Sequence, residues 1–251
     1  MRAPVHTIVE TQTLDDAATE IETWEISALG VVDRQGALVG VISRTDLVHA
    51  GRMRAREDGR DKVLTLPKVG LREFMTPTVE IIGPERPLHE AARGMLKRNV
   101  HRLFVSDDRR PIGVITTRDL MRAVVDVRVK EPVADIMHIA VISVEAHRPV
   151  AYAVDRMAAV ERSGLVVTEE GWPVGVFTQA DALAARDAPA TDRVDAWMDP
   201  RIICMPMATP IWRAAQQAIA TRPRRLLAVD GAGVRGVVTS MDFARVVEAE
   251  A

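Results

Sequence analysis

One short string recurs four times along this 251-residue chain, and its spacing constrains the fold more than any other feature. The string is glycine, two apolar residues, Ser or Thr, two variable residues, then Asp. It reads Gly40-Val41-Ile42-Ser43-Arg44-Thr45-Asp46, Gly113-Val114-Ile115-Thr116-Thr117-Arg118-Asp119, Gly175-Val176-Phe177-Thr178-Gln179-Ala180-Asp181 and Gly236-Val237-Val238-Thr239-Ser240-Met241-Asp242. Successive glycines are 73, 62 and 61 residues apart, and the longer first interval holds a polar insertion, Gly51 to Lys62. Self-similarity at a nearly fixed period identifies a chain built from copies of one supersecondary unit.

Other landmarks keep the register. Met75, Met137 and Met198 each precede a motif glycine by 38 residues, and Pro87, Pro149 and Pro210 follow those methionines by 12. After each proline comes an apolar stripe at helical spacing: Leu88, Ala91, Ala92, Met95, Leu96; Val150, Ala153, Val154, Met157, Ala158; Ile211, Ala214, Ala215, Ala218, Ile219. Leu14, Ala17, Ala18, Ile21 and Trp24 give the first repeat the same stripe with a one-residue offset. Such spacing predicts one buried face of an amphipathic helix. Each helix leads into a short apolar strand, a turn such as Asp33-Arg34-Gln35-Gly36, and the strand carrying the motif glycine. A second helix starts at the Ser or Thr. The unit is therefore a βαββα repeat, an α/β (α+β) arrangement present four times.

The Ser/Thr-x-x-Asp ending has a plain structural reading as a helix capping box, worth about 1 kcal/mol and needing no ligand. Two features point further. All four copies use Asp where Glu or Gln would reach the cap more easily, and each follows a glycine that lets another group approach the backbone. A strand-to-helix corner offers free N–H groups and the positive end of a helix dipole, and an Asp one turn in can accept bonds from a ribose diol.

The string resembles that of the CBS-domain family, named after cystathionine β-synthase, over practically the whole chain. The resemblance implies four repeats, at residues 1–62 (with a charged extension, 51–62), 63–127, 128–188 and 189–251. It also implies that they pair into two pseudo-twofold Bateman modules, 1–127 and 128–251, with clefts that bind adenosine ligands such as AMP, ADP, ATP or S-adenosylmethionine. Residue by residue, it assigns the ribose to Asp46, Asp119, Asp181 and Asp242 and the phosphate-side hydroxyl to Ser43, Thr116, Thr178 and Thr239. Repeats two and four carry basic pairs before the hairpin, His101-Arg102 and Arg224-Arg225, where repeats one and three have Ser27-Ala28 and Ser163-Gly164. These pairs are candidate phosphate contacts, because the arginine fork matches phosphate oxygens, or else solvated surface charge. Arg44 and Arg118 add positive charge inside the first two motifs. The alternation fits duplication of a two-repeat unit.

Composition narrows the function. Net charge is −2 and is evenly shared between the halves, so a nucleic-acid partner lacks its usual basic footprint. No stretch approaches the ~20 apolar residues of a membrane span. No secretory leader is apparent, and Cys204 is the single cysteine, so a reducing cytoplasm is expected. No His-x-x-x-His or comparable metal spacing occurs, no catalytic metal or cofactor is expected, and the repeated methionines read as core filler. The insertion 51–62 reads as a solvated helix extension, a mobile loop or a partner-binding arm. Leu120, Val124 and Val125 form an apolar helix face suited to stacking modules. The expected function is a non-catalytic regulatory sensor that binds an adenosine ligand and signals to a separate effector chain, with a homodimer a further possibility. The alternative is a ligand-free scaffold of stacked modules.

Overall fold

The computed structural model describes residues 3–107, 110–221, 225–231 and 233–249. Four three-stranded sheets follow one plan. Repeat one has β1 (Thr7–Val9), α1 (Leu14–Thr23), β2 (Ala28–Val32), β3 (Leu38–Ser43) and α2 (Arg44–Glu57). Repeat two has β4 (Ile81–Ile82), α3 (Leu88–Arg98), β5 (Arg102–Asp107), β6 (Arg110–Thr116) and α4 (Thr117–Val127). Repeat three has β7 (Ser143–Glu145), α5 (Val150–Ala159), β8 (Gly164–Glu169), β9 (Trp172–Thr178) and α6 (Gln179–Ala184). Repeat four has β10 (Ile202–Pro206), α7 (Ile211–Thr221), β11 (Arg225–Asp230), β12 (Gly233–Val238) and α8 (Ser240–Ala249).

In each sheet the first strand runs parallel to the second, with a helix making the crossover such a pair requires, and the second and third form a hairpin. All four hairpins carry a register shift near the same place, between Val31 and Val32, Val105 and Ser106, Val167 and Thr168, and Ala228 and Val229. The apolar stripes face inward as their spacing predicts, with Leu14, Ala17, Ala18 and Ile21 buried in α1 and Val150, Ala153, Val154 and Met157 in α5. Three stripe members do not follow: Leu88 is 43% exposed, Trp24 is 52% exposed, and Ala158 is exposed. Trp24 caps α1 at its C-terminal end and donates from its indole nitrogen to Glu20 over 2.8 Å.

The chain forms two compact units that draw on alternate repeats. An odd unit, His6–Val79 and Ile142–Pro200, holds repeats one and three; an even unit, Met1–Val5, Glu80–Val141 and Arg201–Ala251, holds repeats two and four. In the odd unit α2 packs on α6; in the even unit α4 packs on α7 and α8, and α3 on α8. The apolar face of α4 is consumed there: Leu120 and Val124 are buried, and Val125 packs against the Val124–Phe243 core.

The insertion 51–62 is part of the odd unit's framework. It continues α2 to Glu57, and Arg52, Arg56 and Arg60 all pair with Asp155 on α5 of repeat three. Burial alone would raise the Asp155 carboxyl, but Arg60 and Arg56 hold it below the usual carboxylate range. Asp61 accepts from the backbone of Ala190 over 2.8 Å, and Lys62 pairs with Asp187 at 3.0 Å. Val63 and Leu64 then donate to Ala188 and Arg186. The helix-extension reading thus holds as far as Glu57, and in place of a mobile loop the rest forms a strap between two repeats.

Candidate functional site

Each motif turns from a strand into a helix, and the turn is held by the same bonds four times. The Ser or Thr stands before the first helical turn in extended backbone, and the Asp three residues on reaches back with Oδ2. That oxygen accepts from the backbone N–H of Ser43, Thr116, Thr178 and Thr239 at 2.7–2.9 Å and from their hydroxyls at 2.6–2.9 Å. The capping-box reading is therefore realised in full at Ser43, Thr116 and Thr178, and at Thr239 the half supplied by the Asp242 carboxylate is present. It leaves one carboxylate atom, Oδ1, for any other task.

The surroundings of that atom differ. Among the described residues no side chain is hydrogen-bonded to Oδ1 of Asp46, and burial raises its pKa against the bonds from Ser43. Oδ1 of Asp119 accepts from Arg122 at 3.2 Å, one turn along α4. Asp181 is buried beside Thr178. Asp242, with no exposed surface, takes both Arg245 and, at 2.9 Å, Nε2 of His138.

The motif glycines serve a purpose other than admitting a ligand. A chain segment from another part of the unit crosses β3, β9 and β12 and pairs with the residue after the glycine. Thr76 exchanges both backbone bonds with Val41, Asp199 with Val176, and His138 with Val237, all at 2.9 Å. The preceding methionine then lies on the glycine. A Cβ on Gly40 would stand 2.6 Å from the Met75 sulfur; on Gly175 and Gly236 it would stand 2.8 Å from Met198 and Met137. Met75, Met137 and Met198 are thus not filler inside the repeats they introduce, but cover the motif strands of repeats one, four and three.

The basic residues converge in the even unit. The backbone N–H of Thr117 donates to the carbonyl of His101 over 3.1 Å, which places His101 at the motif corner of repeat two. Its Nδ1 lies 3.2 Å from the Ser240 hydroxyl of repeat four. Crowding around the ring, then the charges of Arg102 and Arg225, lower its pKa. The corresponding corners of the odd unit have the carbonyls of Ser27 and Ser163, and there Thr45 donates to Gln179 over 3.1 Å. The alternation along the chain is therefore a segregation in space: basic corners share one unit, small neutral ones the other. Arg44 and Arg118 occupy the first turns of α2 and α4. Arg224 lies outside the described residues.

Four copies of one capped corner, in register over four βαββα units, match a known pattern. A model of the CBS domain matches residues 1–52, 71–126, 133–188 and 194–249. The chain belongs to the CBS-domain family. A crystal structure of a Methanocaldococcus jannaschii protein, titled a proposed archaeal homologue of g-AMPK, superposes with a TM-score of 0.85 at 21% identity, over 98% of this chain and 97% of that one. Among curated relatives, a homoserine O-acetyltransferase of Methanohalobium evestigatum is 31% identical over 48% of this chain and 22% of its own length. An inosine-5'-monophosphate dehydrogenase of M. jannaschii is 34% identical over 47% of this chain and 21% of its own. This CBS-domain chain thus spans about a fifth of the length of those two enzymes. Among the described residues, no helix is long and apolar enough to cross a membrane, and no cluster of three or more His, Cys, Asp or Glu is arranged to hold a metal ion.

Proposed function

We propose that this CBS-domain chain is a regulatory sensor, not an enzyme, that binds an adenosine-containing ligand such as AMP, ADP, ATP or S-adenosylmethionine and signals to a separate effector. The observation that carries the reading is the corner of repeat two. It sets the Asp119 carboxylate and Thr116 hydroxyl at a helix N-terminus beside His101 and Arg102, with Arg225 close by. A ribose diol needs a carboxylate acceptor and a phosphate needs cations; this corner has both. Arg122, on the exposed side of α4, is a weak competitor for Asp119, since such i,i+3 pairs contribute only about 0.2–0.5 kcal/mol. The pairing of consecutive repeats into modules 1–127 and 128–251, the ligand roles of the remaining motif residues, a cytoplasmic setting and a homodimer belong to the same proposal. A ligand would act by favouring one arrangement of the repeats, to the extent of its differential affinity.

A second reading has its own support. The boxes account for Oδ2 and the hydroxyl of every motif, and the visiting methionines account for three glycines, so a ligand-free scaffold would need the same residues. Isothermal titration against AMP, ATP, S-adenosylmethionine and NADH separates the two. Saturable binding of any of them is the sensor's result; a folded protein that gives no heat with all four is the scaffold's.

A further inference from the structure

We infer that the residue following each visiting methionine decides whether the corner beneath it can take a ligand, and that His138 closes the corner of repeat four. The inference rests on the adenosine-sensor reading, because it concerns which carboxylates remain available to a ribose.

Thr76, His138 and Asp199 occupy one structural position, each fixed by two backbone hydrogen bonds to the strand beside a motif glycine. Their chemistry differs. Thr76 brings no charge to repeat one, and among the described residues no side chain is hydrogen-bonded to Oδ1 of Asp46. Asp199 brings a second buried carboxyl group to the strand of repeat three, whose own Asp181 is buried as well. His138 brings an imidazole ring to repeat four. Its Nε2 lies 2.9 Å from Oδ1 of Asp242, with Arg245 also near it at 3.5 Å, while Thr239 already fills Oδ2.

His138 is unlike the arginines that also reach motif carboxylates. Arg122 and Arg245 stand three residues beyond Asp119 and Asp242 on long exposed arms, and a ligand hydroxyl can displace such an arm. His138 has a short side chain on a backbone clamped to Val237, with Met137 seated on Gly236 beside it. A diol approaching Asp242 would have to displace that half-exposed ring, whose backbone is held in place by the strand crossing. Repeat four therefore keeps the family motif as a helix cap and gives up its ligand atom. His138 and Arg245 also line an open cavity of about 430 Å³ with Asp135, Met137 and Val246, next to but not lined by Asp242 and Thr239.

The test counts AMP or ATP equivalents by isothermal titration and equilibrium dialysis in the full chain, His138→Ala, and His138→Ala combined with Asp242→Asn. Alanine at 138 leaves the capping box in place, so loss of folding is not expected; melting temperature checks it. The inference expects His138→Ala to bind one equivalent more than the wild type and the added equivalent to vanish in the double variant. An unchanged stoichiometry in His138→Ala, or a gain that survives in the double variant, overturns it while leaving the sensor reading intact. Absence of binding in all three proteins defeats the sensor reading, and with it this inference.

Discussion

Met198, on the segment leading into repeat four, lies on Gly175 of repeat three so closely that a Cβ there would stand 2.8 Å from its sulfur and 2.8 Å from the carbonyl oxygen of Asp199. The motif glycine is thus required by an internal strand crossing. Gly175→Ala should destabilise the protein by about 1–3 kcal/mol, the usual cost of overpacking. Gly70→Ala, where a Cβ meets nothing within 4 Å, should be neutral or slightly stabilising. Thermal melts of the two variants, side by side, check this; equal melting temperatures would remove the crossing as the reason for the glycine.

Leu120 and Leu88 carry a second contrast. Both fall in apolar helical patterns, yet Leu120 has no exposed surface among Ala91, Met95, Leu103 and Ala244, while Leu88 is 43% exposed. Leu120→Ala should cost about 2–5 kcal/mol, as for other buried leucines, and Leu88→Ala much less. Urea unfolding of both variants measures the difference.

The strap should be sensitive to one carboxylate. Asp155 is shared by Arg52, Arg56 and Arg60, so Asp155→Ala leaves three guanidinium groups facing one another without a counter-charge. We expect a lower melting temperature that added salt partly restores, because screening relieves like-charge repulsion. A loss equal at low and high salt would assign the effect to packing instead.

His101 sets a pH dependence. Its folded pKa lies below the ordinary 6.5, because neighbouring atoms crowd the ring even though the residue keeps an exposed edge, and because Arg102 and Arg225 add positive charge. Below pH 6.5 the unfolded chain therefore binds a proton that the folded protein resists, and stability falls as pH drops from 6.5 through the folded value. His101→Gln should flatten this part of the stability profile. Chemical denaturation of both proteins between pH 7 and pH 5 shows whether the wild type loses more stability on acidification.

Much of this architecture was legible in the residues. The period of the glycine string gave four units, the stripes from Leu14, Val150 and Ile211 gave their crossover helices, and Ser43-to-Asp46 spacing gave the capped corners. Spacing could not say where a segment goes after it leaves its repeat. Met75, Met137 and Met198 each stand 38 residues before one motif glycine but cover a different one, Gly40, Gly236 and Gly175. The same limit hid the strap: Arg52, Arg56 and Arg60 read as solvated charge because their partner, Asp155, is about a hundred residues away. The alternation of His101-Arg102 with Ser27-Ala28 was visible, whereas its cause, the sharing of one unit by repeats two and four, is a fact of packing. His138 and Arg245 carried a faint signal, one beside a repeated methionine and the other three residues beyond a motif Asp.

The central claim is that the repeat-two corner binds an adenosine ligand through Asp119. The most direct measurement is the affinity of AMP for the wild type and for Asp119→Asn by isothermal titration, with melting temperatures recorded for both. Asparagine keeps the shape of the side chain and removes the charge that a ribose diol would meet. We expect binding at least ten times weaker in a protein that still folds, a loss of about 1.4 kcal/mol or more. Equal affinity in the two proteins would contradict the claim and leave Asp119 as a helix cap alone.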